Sequence, residues 1–211
     1  MPNHVANILT IRESKERVIA FLEAVKGEES AFDFNRIIPK PETYKKYDTT
    51  NHPNGKGLVA GQPYDPFDEK SVIVTEELIE EFKQATLEQY TKYGVVGWYD
   101  WSRLHWGTKW NAYDVEVDGD SIFFNTAWAE PKPIYLKLAQ MFPDYNFSIV
   151  FASEEMGCGA GNVEIVSGEV SYIEAANGSD VAMKYYFATH PGMEDVIIKN
   201  EKGEWVWKDE D

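Results

Sequence analysis

Four of the seven tryptophans of this 211-residue chain fall within one fifteen-residue stretch, Trp98 to Ala112. An indole carries a large apolar area and one N–H that needs a partner when buried. So dense a cluster either nucleates a core or lines a binding surface, and the rest of the chain must fold around it.

Upstream of the cluster, His4 to Ile11 alternates and predicts a first strand. Ser14 can cap the helix that follows, with Val18, Phe21, Leu22 and Val25 on one face and Gly27 after its end. Phe32 to Ile38 alternates partly and stops at Pro39, which predicts a second strand and a β-α-β unit in the first forty residues. From 39 to 71 Pro39, Pro41, Pro53, Pro63 and Pro66 punctuate a polar stretch that reads as a long loop or insertion. Thr75, followed by Glu76 and Glu77, starts a helix whose pattern fades at Gly94. The tryptophan stretch itself reads as a loop or irregular helix.

Beyond it, Ala112–Val117 and Ser121–Ala127 flank Asp118-Gly119-Asp120, a strong hairpin signal. Pro131 and Pro133 open a helix carrying Ile134, Leu138 and Phe142. Tyr145–Ala152 predicts a strand, Gly157–Gly161 a turn, and Asn162–Val170 a returning strand. In the tail, Met183–Ala188, Asp195–Lys199 and Trp205–Trp207 are read as strands. The pattern predicts an α+β fold: a ferredoxin-like split β-α-β sandwich, with an antiparallel sheet and two helices on one face. The expected organisation is a single domain over 1–211, with a helical insertion at about 39–105 and a C-terminal β extension at about 171–211.

The formal charge is −16, which repels nucleic-acid phosphates and anionic membranes at long range. Direct nucleic-acid binding through a broad basic face is therefore disfavoured. The single cysteine, Cys158, rules out an intramolecular disulfide framework. No apolar run reaches the about 18 residues that a bilayer requires, and the N-terminus lacks a signal-peptide pattern. A cytoplasmic, non-membrane protein is expected.

His4, His52, His105 and His190 show no metal-binding spacing, and no metal is expected. Gly157-x-Gly159-x-Gly161 precedes a strand rather than a helix, so it reads as a hairpin turn and not a phosphate cradle. Among the paired carboxylates, Glu154-Glu155 beside that turn is the better-placed pair. The best polar candidates lie in Trp106-Gly107-Thr108-Lys109-Trp110-Asn111, where indoles can stack on a base or cation while Thr108, Lys109 and Asn111 hydrogen-bond. The favoured explanation of the same residues is core packing, with Trp106 and Trp110 in the core, Gly107 allowing a tight bend and Asn111 satisfying backbone groups. Arg103, His105, Trp128 and Glu155 complete the candidate ligand-binding set with Trp106, Thr108, Lys109, Trp110 and Asn111.

Several segments resemble the YubB-type ferredoxin-like family, found mainly on bacterial plasmids and phages. They are Met1-Pro2-Asn3 with Asn7-x-Leu9-Thr10-Ile11, Phe32-Asp33-Phe34-Asn35-x-Ile37-Ile38-Pro39-x-Pro41, Trp106 to Ala112, Phe124-x-Thr126-Ala127-Trp128, Pro131-x-Pro133, Phe142-Pro143 and Glu155-Met156-Gly157. Together they span roughly residues 1–170. His4-Val5 stands where members often carry Trp-Cys. The resemblance implies a ferredoxin-like fold and a mobile-element origin, and brings no activity or catalytic residues. It implies no iron–sulfur cluster, since one cysteine cannot supply the usual four thiolates; no cofactor is expected.

The expected function is that of a non-enzymatic binding protein of a phage or plasmid, acting on host machinery or defence. Its partner would be a host protein or a small nucleotide-like ligand, with homo-oligomerisation left open. Two alternatives stand beside it. One is a nucleotide- or phosphoester-processing enzyme using Lys109 and His105 with a carboxylate. The other is an acidic mimic of nucleic acid.

Overall fold

The computed structural model describes residues 3–65 and 71–208; Met1, Pro2 and Pro66 of the patterns above lie outside these. Along the chain come β1 (His4–Ile11), α1 (Lys15–Val25), α2 (Glu42–Lys46), β2 (Pro63–Tyr64), β3 (Val72–Ile73), α3 (Glu76–Tyr93) and α4 (Trp98–His105). They are followed by β4 (Tyr113–Asp118), β5 (Ser121–Ala127), α5 (Lys132–Met141), β6 (Phe147–Ser153), β7 (Gly161–Val166) and β8 (Glu169–Glu174). The chain ends with α6 (Asp180–Thr189), β9 (Ile197–Lys199) and β10 (Trp205–Trp207). Two compact units emerge: residues 1–38 with 107–211, and Pro39–Trp106.

In the first unit six strands form one sheet in the order β4-β5-β1-β6-β7-β8, every neighbouring pair antiparallel. β1 sits centrally, with Ile8 opposite Phe123 on one side and Val150 on the other. The run β6-β1-β5-β4 has the strand order of a ferredoxin-like β-α-β-β-α-β motif. The split β-α-β is therefore β1-α1-β4, its two strands parallel and separated by β5.

This corrects the second strand expected over Phe32–Ile38. That segment holds a 3-10 turn at Phe34–Arg36, started by the Asp33 side chain accepting the Asn35 N–H. Phe32 and Phe34 are both fully buried and meet each other edge-on at 5.6 Å, and Phe32 packs on Phe124 at 4.9 Å. Two core phenylalanines spaced by a capping aspartate imitate strand alternation.

One face of the sheet carries Val5, Leu9 and Ile11, alternating along β1 as half-buried strands do. α1 covers it with Val18, Phe21 and Val25, and α5 with Ile134, Tyr135 and Leu138. Phe21 meets Phe147 at 5.0 Å. Asn7 is buried on this face and is satisfied by the Tyr135 hydroxyl at 2.7 Å, Thr126 Oγ1 at 3.1 Å and the Val5 carbonyl at 2.8 Å. α6 packs on β6, where Ala182, Met183 and Tyr186 join Ala152 and Ala160 in a second core cluster.

α6 overturns the strand expected at Met183–Ala188. The Ser179 side chain accepts the Ala182 N–H and starts a helix, while the large residues of this stretch find apolar cover on the sheet. The single strand expected over Asn162–Val170 is also corrected. A turn at Ser167–Gly168, both at positive φ, breaks it into the β7–β8 hairpin. β9 and β10 pair as a terminal hairpin.

The second unit is built on α3, which Thr75 caps through the Leu78 N–H and Gly94 ends at φ +76°. Gln89, fully buried, accepts from Thr49 Oγ1 and the Gly97 N–H and donates to the Thr43 carbonyl. One side chain thus joins three segments of the unit. Tyr44, Phe82, Trp101 and Trp106 supply its buried aromatic mass.

Candidate functional site

In the first unit the Lys109 ammonium lies over two indoles, 4.4 Å from the Trp110 ring and 4.9 Å from the Trp128 ring. Both tryptophans are exposed, at 39% and 46%. Such a cation over a π face is worth about 0.5–1 kcal/mol where water reaches it. Trp128 follows β5 at φ +75°, a backbone state that L side chains rarely adopt, and its N–H bonds to the Asn3 carbonyl. Turning the chain there, just after β5, brings the Trp128 ring to Lys109.

The aromatic surface continues from Trp110 to Tyr113, 6.4 Å away and edge-on, and from Tyr113 to His4 at 5.7 Å. The Tyr113 hydroxyl and His4 Nδ1 are hydrogen-bonded at 2.7 Å. Burial, with the Asp114 and Glu154 carboxylates behind it, raises the Tyr113 phenol above its ordinary range. The group is therefore a hydrogen-bonding phenol at neutral pH.

Thr108 and Asn111 do different work. Thr108 is buried, and its hydroxyl donates to the Ala127 carbonyl at 2.8 Å while accepting the Ala127 N–H at 3.0 Å. Asn111 Oδ1 accepts from the Phe34 and Ala112 N–H groups, and its Nδ2 donates to Asp33. These two residues tie the segment before β4 to β5 and to the 3-10 turn, and between them Lys109 is half-buried and Trp110 exposed. Gly107 precedes them at φ +82°, where a Cβ would come within 2.7 Å of Pro133.

Three of the candidates belong to the second unit. Trp106 is 2% exposed and meets Trp101 edge-on at 5.4 Å. His105 stacks on Trp101 at 4.7 Å, and burial pushes its imidazole down toward the neutral form. Arg103 is exposed, with its guanidinium 5.5 Å from the Tyr99 ring. A residue outside the candidate set joins these tryptophans: Lys40 Nζ lies 4.4 Å from Trp106, 5.7 Å from Trp98 and 6.0 Å from Trp101. Burial, followed by repulsion from Lys45, pushes the Lys40 ammonium down to about 8.

Glu155 is exposed in the β6–β7 turn, its N–H bonded to Ser153 Oγ and its carbonyl to the Cys158 N–H. Burial and Glu155 together raise the Cys158 thiol, opposite to the shift that activates a nucleophile. Among the described residues no group of three or more His, Cys, Asp or Glu side chains could hold a metal. Among the described residues no helix is long and apolar enough to cross a membrane.

The sequence pattern alone does not mark Tyr113, His4 and Lys40 as site residues. The spacing Trp110-x-x-Tyr113 was a usable signal, and His4 faces Ala127 across the β1–β5 ladder, one residue from Trp128. Nothing local announces Lys40, whose cage closes over a sequence distance of about sixty residues.

Strand order, helix placement and the antiparallel ladder define a ferredoxin-like α+β protein. Residues 105–188 match the family described as the ferredoxin-like domain in Api92-like protein. A crystal structure of protein Api92 from Yersinia pseudotuberculosis aligns with 85% of this chain and 100% of its own, at TM-score 0.42 and 10% identity. No curated protein matches the chain.

Proposed function

We propose that the chain is a non-enzymatic binding protein of the YubB-type family, of phage or plasmid origin, that acts in the host cytoplasm on host machinery or defence. Its ligand is nucleotide-like and docks on Lys109, Trp110 and Trp128. The observation that carries this reading is one ammonium held 4.4 and 4.9 Å from two exposed indoles. A base stacked on an outer indole face is worth about 1–3 kcal/mol, and every base has a face to offer. The ammonium then meets a phosphate oxygen at the edge of the stack as a charge-assisted contact. The enzymatic alternative is less well supported, since His105 Nε2 is buried and its ring is stacked on Trp101.

Tryptophan fluorescence titrated with mono-, di-, tri- and cyclic nucleotides tests the proposal. Saturable quenching by at least one nucleotide, weakened about tenfold in Lys109→Ala, is the expected result. Quenching that is absent across the panel, or unchanged in Lys109→Ala and Trp128→Ala, overturns it. Native mass spectrometry of protein purified from its host would show a retained ligand, a partner or a second copy in one measurement.

A further inference from the structure

We propose that Trp98, Trp101 and Trp106 form a receptor for a quaternary ammonium group, and that Lys40 is its built-in occupant. Three indoles of the second unit converge on Lys40 Nζ, at centroid distances of 4.4, 5.7 and 6.0 Å. These are the distances at which a cation is held by π faces, and tryptophan is the strongest of the aromatic partners. Aromatic cages of this kind suit a methylated ammonium, which cannot use hydrogen bonds and loses little water on entry.

The way Lys40 enters the cage resembles a bound peptide. It stands in Pro39-Lys40-Pro41, outside any helix or strand, and Pro41 has the extended backbone angles φ −60° and ψ 145°. A proline on each side keeps such a segment extended and delivers one side chain into the cage. Trp101 and Trp106 form the closed floor at 2% exposure, whereas Lys40 and Trp98 remain partly open to solvent and mark the mouth. An external cation would reach the floor by displacing the Lys40 side chain.

Because Lys40 is tethered, its effective concentration at the cage is in the millimolar range and it masks the receptor. Removing it exposes the site. The test compares the unaltered protein with Lys40→Ala, reading the indole N–H resonances of Trp98, Trp101 and Trp106. The probes are choline chloride and a peptide with trimethyllysine between two prolines. Lys40→Ala is expected to bind at least one probe saturably and about tenfold more tightly than the unaltered protein. Choline alone binding as well as the peptide identifies a free cation as the ligand, and a preference for the peptide identifies a methylated lysine side chain. A folded Lys40→Ala protein with no saturable shift for either probe overturns the proposal.

A second measurement needs no variant. Acetylation of Lys40 in the unaltered protein, mapped by mass spectrometry, should accelerate as choline is added, because the displaced amine meets the reagent. An acetylation rate that stays constant at all choline concentrations also overturns it.

Discussion

Asn111 illustrates how far a residue's role can be read before its partners are known. Its polar side chain between aromatic residues suggests a ligand contact, yet its partners are Phe34 and Asp33, 77 and 78 positions away. No local pattern records such contacts. Asn111→Ala strips acceptors from two backbone N–H groups and a donor from Asp33, so it should lower stability by about 2–4 kcal/mol in denaturant titration, with each unmade bond costing about 1–3. A loss below about 0.5 kcal/mol, the level of an ordinary surface change, would contradict the stapling role. Lys40 makes a second prediction at this scale. Its ammonium is pushed down to about 8 when folded, against about 10.4 for a free lysine. Between these values the unfolded chain holds a proton that the folded chain has released, so Lys40 makes stability rise with pH there. Below about 8 both states hold the proton and the contribution is flat. The unfolding free energy of the unaltered protein minus that of Lys40→Met should therefore climb across this window, and parallel curves would refute it.

At the scale of elements, most of the sheet was legible because its signals are local. The Asp118-Gly119-Asp120 turn, the alternation of β1 and the proline-opened α5 each declare themselves within about ten residues. Pattern and structure part where tertiary cover outweighs local preference. Met183–Ala188 holds two tyrosines and a phenylalanine, which favour a strand. The cap at Ser179 and the apolar seat on Ala152 and Ala160 make it a helix instead. Ser179→Ala should then cost about 1 kcal/mol, seen as a lower midpoint and as faster amide exchange in the first turn of α6. Exchange that is unchanged there would place the helix's stability in packing alone. The second strand of the split motif is hidden from the sequence pattern for a similar reason. The true one, β4, follows Trp106, with the whole second unit between it and α1. Hydrophobic period alone cannot distinguish that strand from the Phe32–Phe34 pair, which enters the core through a turn.

For the whole molecule, the relevant quantity is the charge of −16 set against the Lys109 ammonium over its indoles. The two lead readings respond to salt with opposite sign. A nucleotide approaching the protein is repelled at range by the summed carboxylates, and that repulsion is screened beyond about 8–10 Å at physiological ionic strength. Base stacking is insensitive to salt, and the ammonium–phosphate contact is shorter than the screening length. Nucleotide affinity should therefore hold steady or strengthen modestly from low to moderate salt. A mimic of nucleic acid does the reverse. It binds a basic groove by the same attraction that nucleic acid uses, so its affinity falls steeply as salt rises. Measuring partner or nucleotide binding across a salt series thus separates the readings without knowing the ligand in advance. A steep fall, together with insensitivity to Lys109→Ala, would move the function from the Lys109 platform to the acidic surface. A flat or rising profile lost in Lys109→Ala would keep it there, because only a site built from short-range contacts can hold a phosphate against the field of the rest of the chain.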